Sequence, residues 1–307
     1  MEPDQAIYEV ESGSSPDWRD PEPSRTVRLR ARHEPRLDGM TLAVAGVAAQ
    51  LWVPEVLLPD AEAVFGHLRA EPGPTEVRIL ARYADNCATL EVPGQADLLC
   101  PPEELLTVVK ATLIEEILRC GPYEVAFHAA ALQGRRGMVL LVGSPGAGKS
   151  TLGIALARGG LAIAADDVVL LHADGFASGL PFPFAAKESS WRLLQGLWPD
   201  LHWSPEHLRP DGRRARHVST GEAFVSGPQP VAGIILLDRR EVGDPDLQVI
   251  DPVEALAALI AEGASHDERL SEAGFAALIG MLSQAHCARL TYSGLIAAAD
   301  LLVAKFA

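Results

Sequence analysis

Gly143-Ser144-Pro145-Gly146-Ala147-Gly148-Lys149-Ser150 satisfies GxxxxGK[ST] in full, and it follows the unbroken apolar run Met138-Val139-Leu140-Leu141-Val142. The pattern has a physical basis. Phosphate oxygens need several N–H donors at close range, and glycines let the backbone wrap around them without Cβ clashes. Lys149 then adds a positive charge at the β- and γ-phosphates, and the Ser150 hydroxyl is a ligand for Mg²⁺. An apolar run such as 138–142 predicts a strand buried on both faces. Thr151-Leu152-Gly153-Ile154-Ala155-Leu156-Ala157 predicts a helix over Lys149–Arg158, whose positive N-terminal end faces the anion. Strand, loop and helix together read as a P-loop. Its binding set runs from Gly143 to Thr151, and its ligands are a nucleoside triphosphate and Mg²⁺. No NKxD base-specificity motif accompanies it, which favours ATP over GTP.

Downstream, Gly159-Gly160 ends the helix and Leu161–Ala165 predicts the next strand, which runs into Asp166-Asp167. Ligands of parallel sheets bind at the carboxyl ends of strands. There, one carboxylate can hold Mg²⁺ and the other can accept a proton from a hydroxyl nucleophile. Asp238 is a rival metal ligand, because Gly233-Ile234-Ile235-Leu236-Leu237 leads into it as a hydrophobic strand. Arg239 and Arg240 offer it salt bridges instead. Upstream, Phe127–Gln133 reads as one strand and Gly134–Gly137 as a hairpin turn.

His128-Ala129-Ala130-Ala131-Leu132, the glycine-rich loop, and Arg158-Gly159-Gly160 followed by Ala165-Asp166-Asp167-Val168-Val169 form a specific order. Over about forty residues, His128–Val169, it resembles the catalytic domain of HPr kinase/phosphorylase and its relatives. That fold resembles phosphoenolpyruvate carboxykinase. The resemblance implies an ATP-dependent kinase that transfers a phosphoryl group to a serine hydroxyl of a protein or peptide. Asp166 would be the base, with Lys149 at the phosphates and His128 beside Asp166, positioning it. Ser150 and Asp167 would hold Mg²⁺, and a homo-oligomer would be in keeping with the family. The chain departs from the pattern at Thr151, where the family usually has an acidic residue. It also lacks the glycine-rich signature downstream of the aspartates that serves phosphorylase activity. It is closer to divergent HPr-kinase-related proteins, including those that phosphorylate small peptides in biosynthetic clusters. A small-molecule kinase and a non-catalytic nucleotide-binding regulator are the alternatives on the same scaffold.

The rest of the 307 residues frames this unit. Hydrophobic residues make up 48%, enough for a real core, and the net charge of −15 disfavours a nucleic-acid backbone as partner. Residues 1–24 read as a flexible tail, and 25–121 as an N-terminal α+β module without recognisable chemistry. Within it, strands are expected at Leu42–Ala45, Gln50–Val53, Val77–Tyr83 and Ala88–Val92. Helices are expected at Glu62–Leu68 and Pro102–Cys120. Residues 122–307 read as the α/β P-loop domain. Cys87, Cys100, Cys120 and Cys287 fall at no metal-ligand spacing, and no signal peptide or membrane span is visible. Reduced thiols in a cytoplasmic protein are the expectation. Three further features stand out. Pro181–Lys187 is expected to be an extended segment lining a substrate groove. Arg209–His217 is a basic run expected in a mobile loop, and Trp191, Trp198 and Trp203 are expected in packing.

Overall fold

Alternation of apolar and polar residues dictates the first sheet of the computed structural model, which describes residues 36–84, 87–219, 224–264 and 270–307. The expected tail at 1–24 lies outside the described residues, as do residues 85 and 86 of the turn after Tyr83. The first elements are β1 (Leu37–Val44), β2 (Val47–Pro54), α1 (Leu58–Phe65), β3 (Val77–Ala84), β4 (Cys87–Glu91), β5 (Leu98–Cys100) and α2 (Leu105–Cys120). The helix expected at Glu62–Leu68 begins earlier, because Pro59 sits in its first turn, where a missing N–H costs nothing. The strands pair in chain order, and only β2 with β3 is parallel. Val47, Ala49, Leu51 and Val53 point inward from β2. The apolar stripe Leu106, Val109, Leu113 and Ile117 of α2 joins the same core.

The second half contributes β6 (Val125–His128), β7 (Ala130–Gly134), β8 (Gly137–Val142), α3 (Lys149–Arg158), β9 (Ala162–Ala165), β10 (Val168–Leu171), β11 (Ala177–Gly179) and β12 (Phe184–Lys187). It continues with α4 (Glu188–Leu197), β13 (His202–Trp203), β14 (His207–Leu208), β15 (Arg214–Ser219), β16 (Val231–Arg239) and β17 (Asp246–Val249). The last elements are α5 (Pro252–Ala261), β18 (Gly263–Ala264), α6 (Glu272–Gln284), β19 (His286–Tyr292) and α7 (Leu295–Phe306). The chain is thus mixed α/β. Its largest sheet has the order β17-β19-β16-β8-β7-β9, with β19, β16 and β8 mutually parallel. Two antiparallel sheets flank it, β11-β10-β6-β18 and β12-β15-β13 with β14 also on β15.

The apolar run at 138–142 is buried on both faces, and each face has its own core. Val139 and Leu141 pack with α3, α7 and Phe184. Met138, Leu140 and Val142 pack with α5 and α6. The single strand expected at 127–133 is broken. At Ala129, whose N–H turns back to the Phe127 carbonyl at 3.0 Å, the chain leaves one sheet and enters another. The next strand does the same at Asp166-Asp167, between β9 and β10. The two crossings lie side by side, since His128 pairs with Val168 and Ala131 with Ala165.

The first core also takes in Ala126, Leu170, Leu180 and Phe182, so residues from both halves share it, and Glu34–Ala307 is one compact unit. Among the described residues no helix is long and apolar enough to cross a membrane. The four cysteines are free thiols.

β11 lies so close to β9 that a Cβ on Gly179 would fall 1.9 Å from the Ala164 carbonyl oxygen. Neither backbone can yield without breaking a ladder. Gly179→Ala is therefore expected to cost about 1–3 kcal/mol or more of stability. Urea denaturation reads this directly, and an unchanged midpoint would contradict the packing.

Candidate functional site

The glycine-rich loop leaves the carboxyl end of β8 and enters α3. Gly146 and Gly148 hold φ of 93° and 98°, a left-handed conformation that a side chain would strain. The Ala147 N–H closes a turn onto the Ser144 carbonyl at 3.0 Å. Tyr292, from the end of β19, donates its hydroxyl proton to the Ala147 carbonyl at 3.1 Å and braces the loop from below. Gly148 caps α3 with no side-chain acceptor among the described residues. The N–H groups of the first turn are therefore free to bind an anion in the loop. The buried Lys149 ammonium folds back and donates to the Gly143 carbonyl. Burial pulls its pKa down, against the opposing pull of Glu262, Asp167 and Asp166.

A cleft of about 810 Å³ opens beside this loop, lined by Ser144–Ala147, Leu237–Glu241 and Ser293. These residues follow or end β8, β16 and β19, so the cleft sits at the carboxyl ends of the three parallel strands, where such sheets bind ligands. Asp238 belongs to this cleft. It accepts from Arg240 at 3.0 Å and from Thr291 at 3.3 Å. The Arg240 hydrogen bond holds its carboxyl below the ordinary range. The salt bridge expected of it in sequence is present.

β8 and β9 both run antiparallel to β7, so Asp166 leaves the sheet at the same edge as the loop. Asp166 is 1% exposed. Its Oδ2 accepts the Ala185 N–H at 2.8 Å, and its Oδ1 is buried without a hydrogen-bond partner among the described residues. Burial, and then the charge of Asp167, push its pKa up to about 7. Lys110, the Ala185 N–H and the neighbouring Ser150 hydroxyl pull the other way. Asp167 differs. Its side chain keeps 36% of its surface, and Oδ2 accepts from the Lys110 ammonium at 3.3 Å. Burial would raise it, but Lys110, His128 and Arg209 together outweigh burial and hold it below the ordinary range.

Most of the residues expected at the site therefore converge. Ser150 lies beside Asp166, Lys149 is close enough to feel the charges of both aspartates, and His128 comes close enough for its charge to be felt at Asp167. The hydrogen bond that positions Asp166 comes from the Ala185 backbone, not from His128. Pro181–Phe184 does not line a groove, because it is buried, with Phe182 and Phe184 in the two cores. The basic run at 209–217 is a hairpin: Arg209 and Arg213 close its tip and Arg214–Ser219 form β15. Period-2 alternation sends the Arg216 guanidinium over the Trp191 ring at 4.6 Å. Its neighbour His217 pairs in register with Ala185. Trp191, Trp198 and Trp203 pack against the second core.

Two contributors were missed in the sequence. Ala185 acts through its backbone, which no side-chain pattern reveals. Lys110 had a signal. It falls on the apolar stripe of α2, four residues after Leu106 and three before Leu113, where a lysine has no reason to be unless its charge is used.

Among the described residues no group of three or more His, Cys, Asp or Glu is arranged to hold a metal ion. Ser150 and Asp167 offer hard oxygen donors, and Mg²⁺ bound with a nucleotide takes one or two protein ligands and fills the rest from phosphate and water. Those two residues fit that lesser demand. No protein-family model and no curated protein matches the chain.

The raised Asp166 has a consequence for stability. The folded state holds this proton to higher pH than the unfolded chain does, so its stabilisation is lost as pH rises through about 7. Asp166→Asn keeps an acceptor for the Ala185 N–H and removes the charge. It is expected to stabilise the fold, with a gain that grows between pH 5 and pH 8 by about 1 kcal/mol or more. Thermal unfolding across that range measures it, and a pH-independent difference would count against the buried carboxylate.

Proposed function

We propose that the chain is an ATP-dependent kinase that transfers the γ-phosphoryl group to a serine hydroxyl of a protein or peptide. In this reading its fold is that of the HPr kinase/phosphoenolpyruvate carboxykinase group, and Gly143–Thr151 is its P-loop. The observation that carries the proposal is the unpartnered Oδ1 of Asp166 beside Ser150 and Lys149. A buried carboxylate near neutral pKa, with one oxygen tied to a backbone N–H and the Ser150 hydroxyl beside it, is suited to take a proton.

The loop N–H groups and the α3 N-terminus would hold the β- and γ-phosphates, with Lys149 moving from the Gly143 carbonyl to the phosphate oxygens. Asp166 would take the serine proton as the serine oxygen bonds to the γ-phosphorus and the bond from that phosphorus to the bridging oxygen breaks, releasing ADP. Mg²⁺, held by Ser150 and Asp167, would neutralise charge on the phosphate oxygens. The cleft at Leu237–Glu241 and Ser293 would take the ribose and base. Positioning and electrostatics supply most of the rate in such transfers.

Labelled ATP, tried against serine peptides encoded near the gene, tests the reading. Asp166→Asn should lower kcat about 10²–10⁴-fold and leave ATP affinity intact, as expected for loss of a general base. The wild-type kcat/KM should rise with pH up to about 7 as the carboxyl ionises. Tight ATP binding with no transfer to any acceptor, and an Asp166→Asn chain indistinguishable from wild type, would favour the nucleotide-binding regulator instead.

A further inference from the structure

Lys110 belongs to α2, a helix of the N-terminal module, yet its ammonium ends at the aspartate pair of the other half. Its side chain is 7% exposed, and its Nζ lies 5.3 Å from the centre of the Phe182 ring. Burying an ammonium costs several kcal/mol unless it is paired. Its hydrogen bond goes to one carboxylate oxygen, Asp167 Oδ2, at 3.3 Å. Two more cationic groups act on Asp167, His128 from β6 and Arg209 from the β14–β15 hairpin, but Lys110 is the one hydrogen-bonded to it.

The same module also fixes the ground beneath Asp166. The Phe65 ring meets Phe182 edge-on at 5.9 Å, and His67 Nε2 hydrogen-bonds with the Pro181 carbonyl at 2.6 Å. Those contacts anchor the segment that delivers the Ala185 N–H to Asp166. Each aspartate is thus oriented through the N-terminal module, one directly and one through a tethered strand.

We propose that Lys110 is a positioning residue for the metal ligand Asp167. Its ammonium holds Oδ2 and leaves the other carboxylate oxygen for the divalent cation that would bind with the nucleotide. The proposal rests on the phosphotransfer reading above. Partners that orient a metal ligand are worth 10–100-fold in metal affinity when removed. The N-terminal module is then part of the active centre rather than an appended recognition domain.

Mn²⁺ is the probe, with free ion followed by electron paramagnetic resonance while full-length chain is titrated in the presence of ADP. No acceptor is needed. Lys110→Met and Lys110→Gln should each weaken ADP-dependent Mn²⁺ binding at least about tenfold, with metal-free ADP affinity unchanged. In an Asp167→Asn background the same replacements should add nothing further. Unchanged Mn²⁺ affinity in both variants, or losses that simply add to that of Asp167→Asn, would overturn the proposal and leave the kinase reading standing. A wild-type chain that binds no Mn²⁺ with ADP would overturn both.

Discussion

Two carboxylates adjacent in the chain cannot both be ionised in one enclosed site without a counter-charge, and this constraint shapes the site. Burial and the neighbouring charge raise Asp166, while Lys110, His128 and Arg209 lower Asp167. One sequence dipeptide thus yields two chemically different groups, one poised to exchange a proton and one held as an anion. The division depends on position alone. Exchanging the surroundings would exchange the behaviours.

The backbone achieves this by changing sheets at the dipeptide. Were β9 to run on in its own sheet, residues 166 and 167 would point to opposite faces of one layer. Instead the chain turns from one sheet into another there, and the corresponding crossing at Ala129, on the antiparallel neighbour, brings His128 alongside. At the corner Lys110 of α2 reaches Asp167, and Ser150 comes up to Asp166. The shared core around Phe182 and Leu180 keeps the two halves in register at this point.

The strand, loop and helix over 138–158 were legible in sequence because each carries a local signal: a continuous apolar run, glycines at fixed spacing, and helical residues without a breaker. Four of the five strands of the first sheet were legible, the first two with shorter bounds, whereas β5 at Leu98–Cys100 was not expected. Asp166 and Asp167 were legible by their place after a strand. What was hidden is what tertiary contact alone creates. A backbone N–H such as that of Ala185 has no letter in the sequence. The break at Ala129 is invisible in a run of alanines that suits a strand on either side of it. Pro181–Lys187 read as a groove lining because prolines mark extended chain, but Phe182 and Phe184 drew its first half into the cores. Lys110 was overlooked because an apolar stripe is read by its hydrophobic members, and the exception among them held the information.

Tyr292 braces Ala147 across 145 residues of sequence. It stands at the end of β19, whose parallel pairing with β16 places it beside the loop. During synthesis on the ribosome the loop residues emerge long before this brace exists. The glycines at 146 and 148 are then free to sample many shapes, and the loop settles only when β19 has been made and has taken its place in the sheet. A nascent chain therefore acquires this loop geometry late, after most of the elements that surround it have been made.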